Sequence, residues 1–177
     1  MKKIFSLVSL LFISVSAFSY DKIDAKSYLV DSSFMNAKSL GVDDGMVYVL
    51  LNNKVSVYSS TLSYINSFPV NLESPVSIAI GDGKIYLLDS RKSSVSVYDK
   101  SGKFLFNFAS EGYDNGQLSS PSDILYFNGR IFIANTKNKK INVYDKNGIF
   151  LYDFSVVLND GITYLLPTRI SIDPYGN

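Results

Sequence analysis

Cysteine and histidine are both missing from this sequence. Without cysteine there is no disulfide, no thiolate nucleophile and no lipid attachment site. Without histidine, the most common general base near neutral pH and a frequent zinc ligand are gone. Glutamate is scarce too. Glu73 and Glu111 are the only two, and each falls in a stretch that reads as a linker, where a lone carboxylate is expected to be solvated. Charge of one sign is equally lacking. Setting aside Lys2 and Lys3 reduces the 17 basic residues to 15, against 16 acidic ones. That balance lacks the basic footprint that dominates nucleic-acid affinity, and the Lys137, Lys139 and Lys140 cluster reads as a solvated loop. Nucleic acid is therefore excluded as a partner. Beyond the first twenty residues, no apolar run is long enough to span a membrane.

Those first residues have a pattern of their own. Lys2 and Lys3 make a short positive start, residues 4–15 form an apolar run broken only by serines, and Ala17 and Ser19 are small residues two apart before Tyr20. This is the layout of a secretory signal peptide over residues 1–19, with cleavage expected between Ser19 and Tyr20. The expectation that follows is export to the periplasm, the cell envelope or the medium, with residues 20–177 as the mature domain.

The mature chain repeats itself. "SVSVYDKSGKFLFNF" at 94–108 is echoed by "KINVYDKNGIFLYDF" at 140–154, and Pro75, Pro121 and Pro167 recur at 46-residue intervals. A weaker copy, "KVSVYSSTLSYINSF", covers 54–68. Each copy reads as four short strands: "VSIAI", "KIYLL", "SVSVY" and "FLFNF" in the second. Pairs with glycine at Asp44-Gly45, Asp82-Gly83, Asn128-Gly129 and Asn147-Gly148 are expected to make tight two-residue hairpins. Their aspartates are explained by turn chemistry rather than by metal binding. The second strand of each copy is apolar on both faces, as in Ile85 and Leu87 against Tyr86 and Leu88, so it belongs inside a sheet covered on both sides. In the fourth strand Phe104, Phe106 and Phe108 are expected on one face, with Leu105 and Asn107 on the other.

Small four-stranded sheets at constant period, covered on both faces, pack radially as a β-propeller. A β-sandwich of successive meanders would not explain that period. The predicted blades are 37–68, 75–108 and 121–154, with the start of another at 167–177. The unit "PVSIAIGDGKIYLLDSRKSSVSVYDKSGKFLFNF" resembles an NHL repeat, and "EGYDNGQLSSPSDI" at 111–124 looks like the linker of that family, in which an apolar residue stands three before the next proline. That apolar position recurs as Phe34, Leu72, Leu118 and Tyr164. The resemblance implies an all-β propeller of NHL type, and Asp89 matches the strand-end acid of the family. The chain departs from the pattern at Asn135 and Leu51, which replace that acid, and at Ser94, which replaces a basic residue.

Three copies and a fraction fall short of the four to eight blades of known propellers. Residues 27–31, "SYLVD", lie where the last strand of a preceding blade would fall. The chain is thus expected to be the N-terminal part of a longer protein, the alternatives being an open arc or pairing with a second copy. For function the leading expectation is a non-catalytic module that binds a protein or glycan partner, with no cofactor and no metal. The candidate contact residues are Asp89, Arg91 and Lys92 in one loop after a second strand, and Asn135, Lys137, Lys139 and Lys140 in the next. Tyr113 and Tyr164 are either aromatic anchors or packing between blades. The rival expectations are a metal-dependent propeller hydrolase or lyase whose catalytic residues lie in other blades, and a structural spacer of an envelope protein.

Overall fold

A computed structural model of the chain describes residues 36–159 and 161–172. The expected signal segment, Ser19 and Tyr20, residues 27–31, Phe34 and residues 173–177 lie outside the described residues. Twelve strands make three antiparallel sheets, each a simple meander in chain order. The first sheet holds β1 (Ser39–Asp43), β2 (Met46–Leu50), β3 (Lys54–Ser59) and β4 (Tyr64–Pro69). The second holds β5 (Pro75–Gly81), β6 (Lys84–Asp89), β7 (Ser94–Asp99) and β8 (Phe104–Phe108). The third holds β9 (Asp123–Phe127), β10 (Arg130–Asn135), β11 (Lys140–Asp145) and β12 (Phe150–Phe154). There is no α-helix among the described residues, and hence no helix long and apolar enough to cross a membrane.

Three of the expected two-residue hairpins form. Asp44 and Gly45, Asp82 and Gly83, and Asn128 and Gly129 all take positive φ, from 47° to 74°, joining Asp43 to Met46, Gly81 to Lys84 and Phe127 to Arg130. This twist matches that of the flanking strands. The fourth expectation is corrected. Gly148 has a positive φ but Asn147 does not, because the β11–β12 turn is longer. The Asp145 amide donates to the Ile149 carbonyl, the Gly148 amide donates to the Asp145 carbonyl, and the Asp145 carboxylate accepts from the amides of Asn147 and Ile149. Asp99 organises the equivalent turn of the second sheet in the same way.

The alternating side chains of β6 sort to two different neighbours. Ile85 and Leu87 join Tyr48, Leu50, Val55 and Phe68 in a core between the first and second sheets. Tyr86 and Leu88 join Ile131, Ile133 and Tyr144 in a core between the second and third. All four are fully buried, and each contributes about 2 kcal/mol by leaving water. The middle sheet is therefore covered on both faces, as the apolar pattern of its second strand requires. Its first strand, β5, packs against β1 and β9, so the first strands line up at the inner edge while fourth strands face outward.

The fourth strands differ from expectation. Val97 pairs with Phe106 and Tyr98 with Phe104, leaving Leu105 as an extra bulged residue. The bulge shifts the alternation, so Phe106 and Phe108 pack against the core shared with the third sheet, while Phe104 meets Tyr98 of the other core edge-on at 5.6 Å. The same bulge recurs at Ile65 and Leu151, with edge-on pairs Tyr58–Tyr64 and Tyr144–Phe150 at 5.7 Å.

Candidate functional site

In a meander the loops between second and third strands lie at the same end of the sheet as the linkers to the next sheet. Backbone bonds show it here: the Ser90 amide donates to the Ser74 carbonyl, and the Lys137 amide to the Ser119 carbonyl. The two loops singled out from the sequence therefore share one surface with the linkers. On that surface the candidate residues separate into two groups.

Asp89 and Asn135 are corrected from contact residues to internal clamps. Asp89 is wholly buried and Asn135 nearly so, which leaves neither to a partner. The Asp89 carboxylate accepts from the amides of Glu73, Ser74, Arg91 and Lys92 at 2.6–3.1 Å, tying the incoming linker to its own loop. Asn135 accepts from the Ser119 amide and donates to the Gln117 carbonyl and to Asn142 Oδ1. The charge of Asp89 is compensated by these converging N–H dipoles rather than by a counter-ion. Lys140 and Lys92 are also engaged within the fold: Lys140 Nζ lies 3.1 Å from Asp153 of the outermost strand, and Lys92 donates to the Asn71 carbonyl and sits 3.9 Å from Glu73. Arg91, Lys137 and Lys139 remain exposed.

The longer linker, residues 109–122, supplies what the loops lack. Leu118 is fully buried in the core between the second and third sheets, and its amide bonds the Ser110 carbonyl. Leu72, the equivalent apolar residue in the previous linker, is partly buried in the same manner. Between these fixed points the chain bulges outward, with Gln117 Oε1 accepting from the Asp114 amide and Asn138 donating to the Gly112 carbonyl. Tyr113 stands at the tip, 69% exposed, so it is not packing between sheets. Ser119 and then Lys137, beside its hydroxyl, hold the phenol below the usual tyrosine range. The fold thus brings together Tyr113 and Lys137, two residues 24 positions apart. Glu111 and Asp114 are exposed on the same linker. The surface is an exposed aromatic ring amid charges of both signs. Tyr164 is also exposed, at 51%, in a short antiparallel bridge with Val157.

Among the described residues no group of three or more acidic side chains is placed to hold a metal ion. At the inner edge the Asp123 carboxylate accepts from Ser77 Oγ and from the amides of Ile124 and Ile170.

No family model matches the chain, and no curated protein matches it. Solved structures do. Hydrazine synthase of Kuenenia stuttgartiensis is similar over 85% of this chain and 43% of its own, at 15% identity and a TM-score of 0.62. A chain of a nidogen/laminin complex is similar over 79% and 56%, at 13% identity and 0.56. BamB from Moraxella catarrhalis is similar over 66% and 34%, at 11% identity and 0.52. The chain thus spans about a third to just over half the length of these propeller proteins. At such identities the likeness concerns architecture alone. Three meander sheets stacked face to face, matched by these propellers, make the chain part of a β-propeller built from four-stranded blades.

Proposed function

We propose that this chain is a non-catalytic binding propeller of NHL-like type that is exported and holds a protein or glycan partner on its linker-side surface. The observation that carries the reading is Tyr113. An exposed aromatic ring on a linker pinned by buried Leu118 and by the Asn138–Gly112 hydrogen bond offers a large amphipathic contact at low entropic cost, which is the property of an interface anchor. Around it, blades of one frame present loops of different composition, which suits an irregular partner better than a repeated small ligand. The mixed signs of Glu111, Asp114, Lys137 and Lys139 favour a partner with complementary charges of both kinds. Export rests on the Lys2–Lys3 start, the apolar run and the small residues before Tyr20.

The test is capture by the immobilised chain lacking residues 1–19. It is offered envelope and secreted proteins and, separately, a glycan array. Specific capture that falls by about tenfold or more in Tyr113→Ala and Lys137→Glu, with circular dichroism unchanged, supports the reading. Replacing only residues 136–139 keeps the Asn135 clamp and should weaken capture similarly. Capture indifferent to all three changes overturns the assignment of the surface. Turnover of a lactone or peptide substrate, lost on chelation, overturns the non-catalytic reading.

A further inference from the structure

The linker after the third sheet exposes what the linker before that sheet does not. Residues 156–166 fold back on themselves as a hairpin. The Leu165 amide donates to the Val156 carbonyl, the Leu158 amide to that of Thr163 and the Gly161 amide to that of Leu158, at 2.8–2.9 Å. Val157 bridges Tyr164 at the places where, 46 residues earlier, Glu111 bridges Leu118. Every large apolar side chain of this hairpin is exposed, from 38% at Val157 to 79% at Ile162. A neighbouring blade does not account for the pattern. Val156, Val157 and Leu166 stand at the places of Ser110, Glu111 and Ser120, which stay exposed although sheets lie on both sides of their linker. An apolar surface of this extent marks a contact.

Beside the hairpin lies a groove of about 1050 Å³. Phe132, Ile141, Tyr152 and Phe154 line one wall, and the base of the hairpin, at Val156 and Leu165, lines the other. Phe154 shows that the groove is open. Its counterparts Phe68 and Phe108 lie over Gly102 and Gly148 of the adjoining blade and are 8% exposed, whereas Phe154 is 45% exposed. The charged residues that line the groove are Arg130 and Arg169. Among the described residues neither arginine is paired with a carboxylate. The one charged residue in the hairpin sequence is Asp160.

We infer that two copies of this chain pair about a twofold axis, each seating its 156–166 hairpin in the groove of the other. Groove and hairpin are both apolar, their charges are of opposite sign, and a second copy brings the two together. The contact is isologous, so each complementary pair is made twice. Ile162 enters against the partner's Tyr152 and the partner's Phe154, and Asp160 comes to the partner's Arg130 and the partner's Arg169. Pairing of this kind needs nothing from Tyr113 or Lys137, which stand on and beside the linker before it.

Sedimentation equilibrium of the full chain is the first test. The expected result is a reversible dimer. Ile162→Asp should raise its dissociation constant about tenfold or more, because a carboxylate then enters the apolar groove. Arg130→Glu together with Arg169→Glu should weaken pairing to a similar degree, and adding Asp160→Lys to those two changes should restore most of it. Ile162, Arg130 and Arg169 are exposed in the single chain, so circular dichroism should not change. In a dimer assembled from labelled and unlabelled copies, intermolecular Overhauser contacts should join the Ile162 methyls to the rings of Tyr152 and Phe154. A chain that stays monomeric up to its solubility limit overturns the inference, as does a dimer that tolerates all these changes or lacks those contacts. A monomer that binds phosphatidylcholine vesicles, and loses that binding in Ile162→Asp, would overturn pairing and assign the hairpin to a lipid surface.

Discussion

Asp89 illustrates how far a residue can be read alone. Its acidic type and its place at a strand end are visible in the sequence, but its burial depends on a linker that arrives from 15 residues upstream. Four amides converge on that carboxylate. Asp89→Ala should therefore cost about 2–4 kcal/mol in urea denaturation, because buried donors lose their acceptor. Arg91→Ala, two residues on and exposed, should stay within about 0.5 kcal/mol. Leu51 stands at the corresponding place in the first blade and has no side-chain acceptor to offer, so the clamp belongs to particular blades rather than to the fold. Tyr113 makes the opposite case. The sequence left it open between anchor and packing, and only the outward course of residues 109–122 decides. Its phenol titrates below the ordinary tyrosine value because Ser119 and then Lys137 favour the phenolate. Carbon NMR of the phenol across the pH range should show that lowered value, and Lys137→Gln should move it upward. A depressed pKa of this kind adds stability in full above the ordinary tyrosine value, and that contribution is lost as pH falls through the folded value. At neutral pH it contributes none.

Elements were more legible than residues because strand periodicity is a local property. The second strands announce themselves by apolar side chains on both faces, and the structure covers both. The bulges at Ile65, Leu105 and Leu151 were not legible, since an extra residue shows itself only against a partner strand. Asn147-Gly148 misled for a related reason: the dipeptide is shared with two-residue hairpins, but Asp145 two positions earlier recruits the amides of a longer turn. Glycines in the two kinds of turn should respond differently to substitution. Gly45 has φ 69° and open space around it, so Gly45→Ala should cost about 1 kcal/mol of backbone strain. Gly102 has φ 88° and the Phe68 ring against it, so Gly102→Ala should cost about 3 kcal/mol as strain and overpacking combine. Thermal unfolding of the two variants side by side checks the difference. Leu87→Ala, in the middle of a covered sheet, should cost about 2–5 kcal/mol.

At the scale of the molecule, adjacent blades share two buried cores and two ion pairs near their turn ends, Lys100–Asp43 at 2.6 Å and Lys146–Asp82 at 2.8 Å. The Lys146 ammonium, through its hydrogen bond and its charge, holds the Asp82 carboxyl below the usual range. Its share of stability is present above the ordinary carboxylate value and fades as pH falls through the lowered one. The matching rise at Lys146 acts at the other end, fully present below the ordinary lysine value and lost as pH climbs through the raised one. Lys146→Gln should return the Asp82 titration toward normal. These pairs are exposed and screened by salt, so the stacking itself rests on the cores and on the fit of rings over glycines. That fit can be observed without any substitution. In a proton NMR spectrum of the folded chain, Gly102 and Gly148 should each show an α-proton displaced upfield by an aromatic ring, with nuclear Overhauser contacts to Phe68 and Phe108 respectively. Glycine α-protons at ordinary positions, with no contact to either ring, would contradict the stacking of the blades.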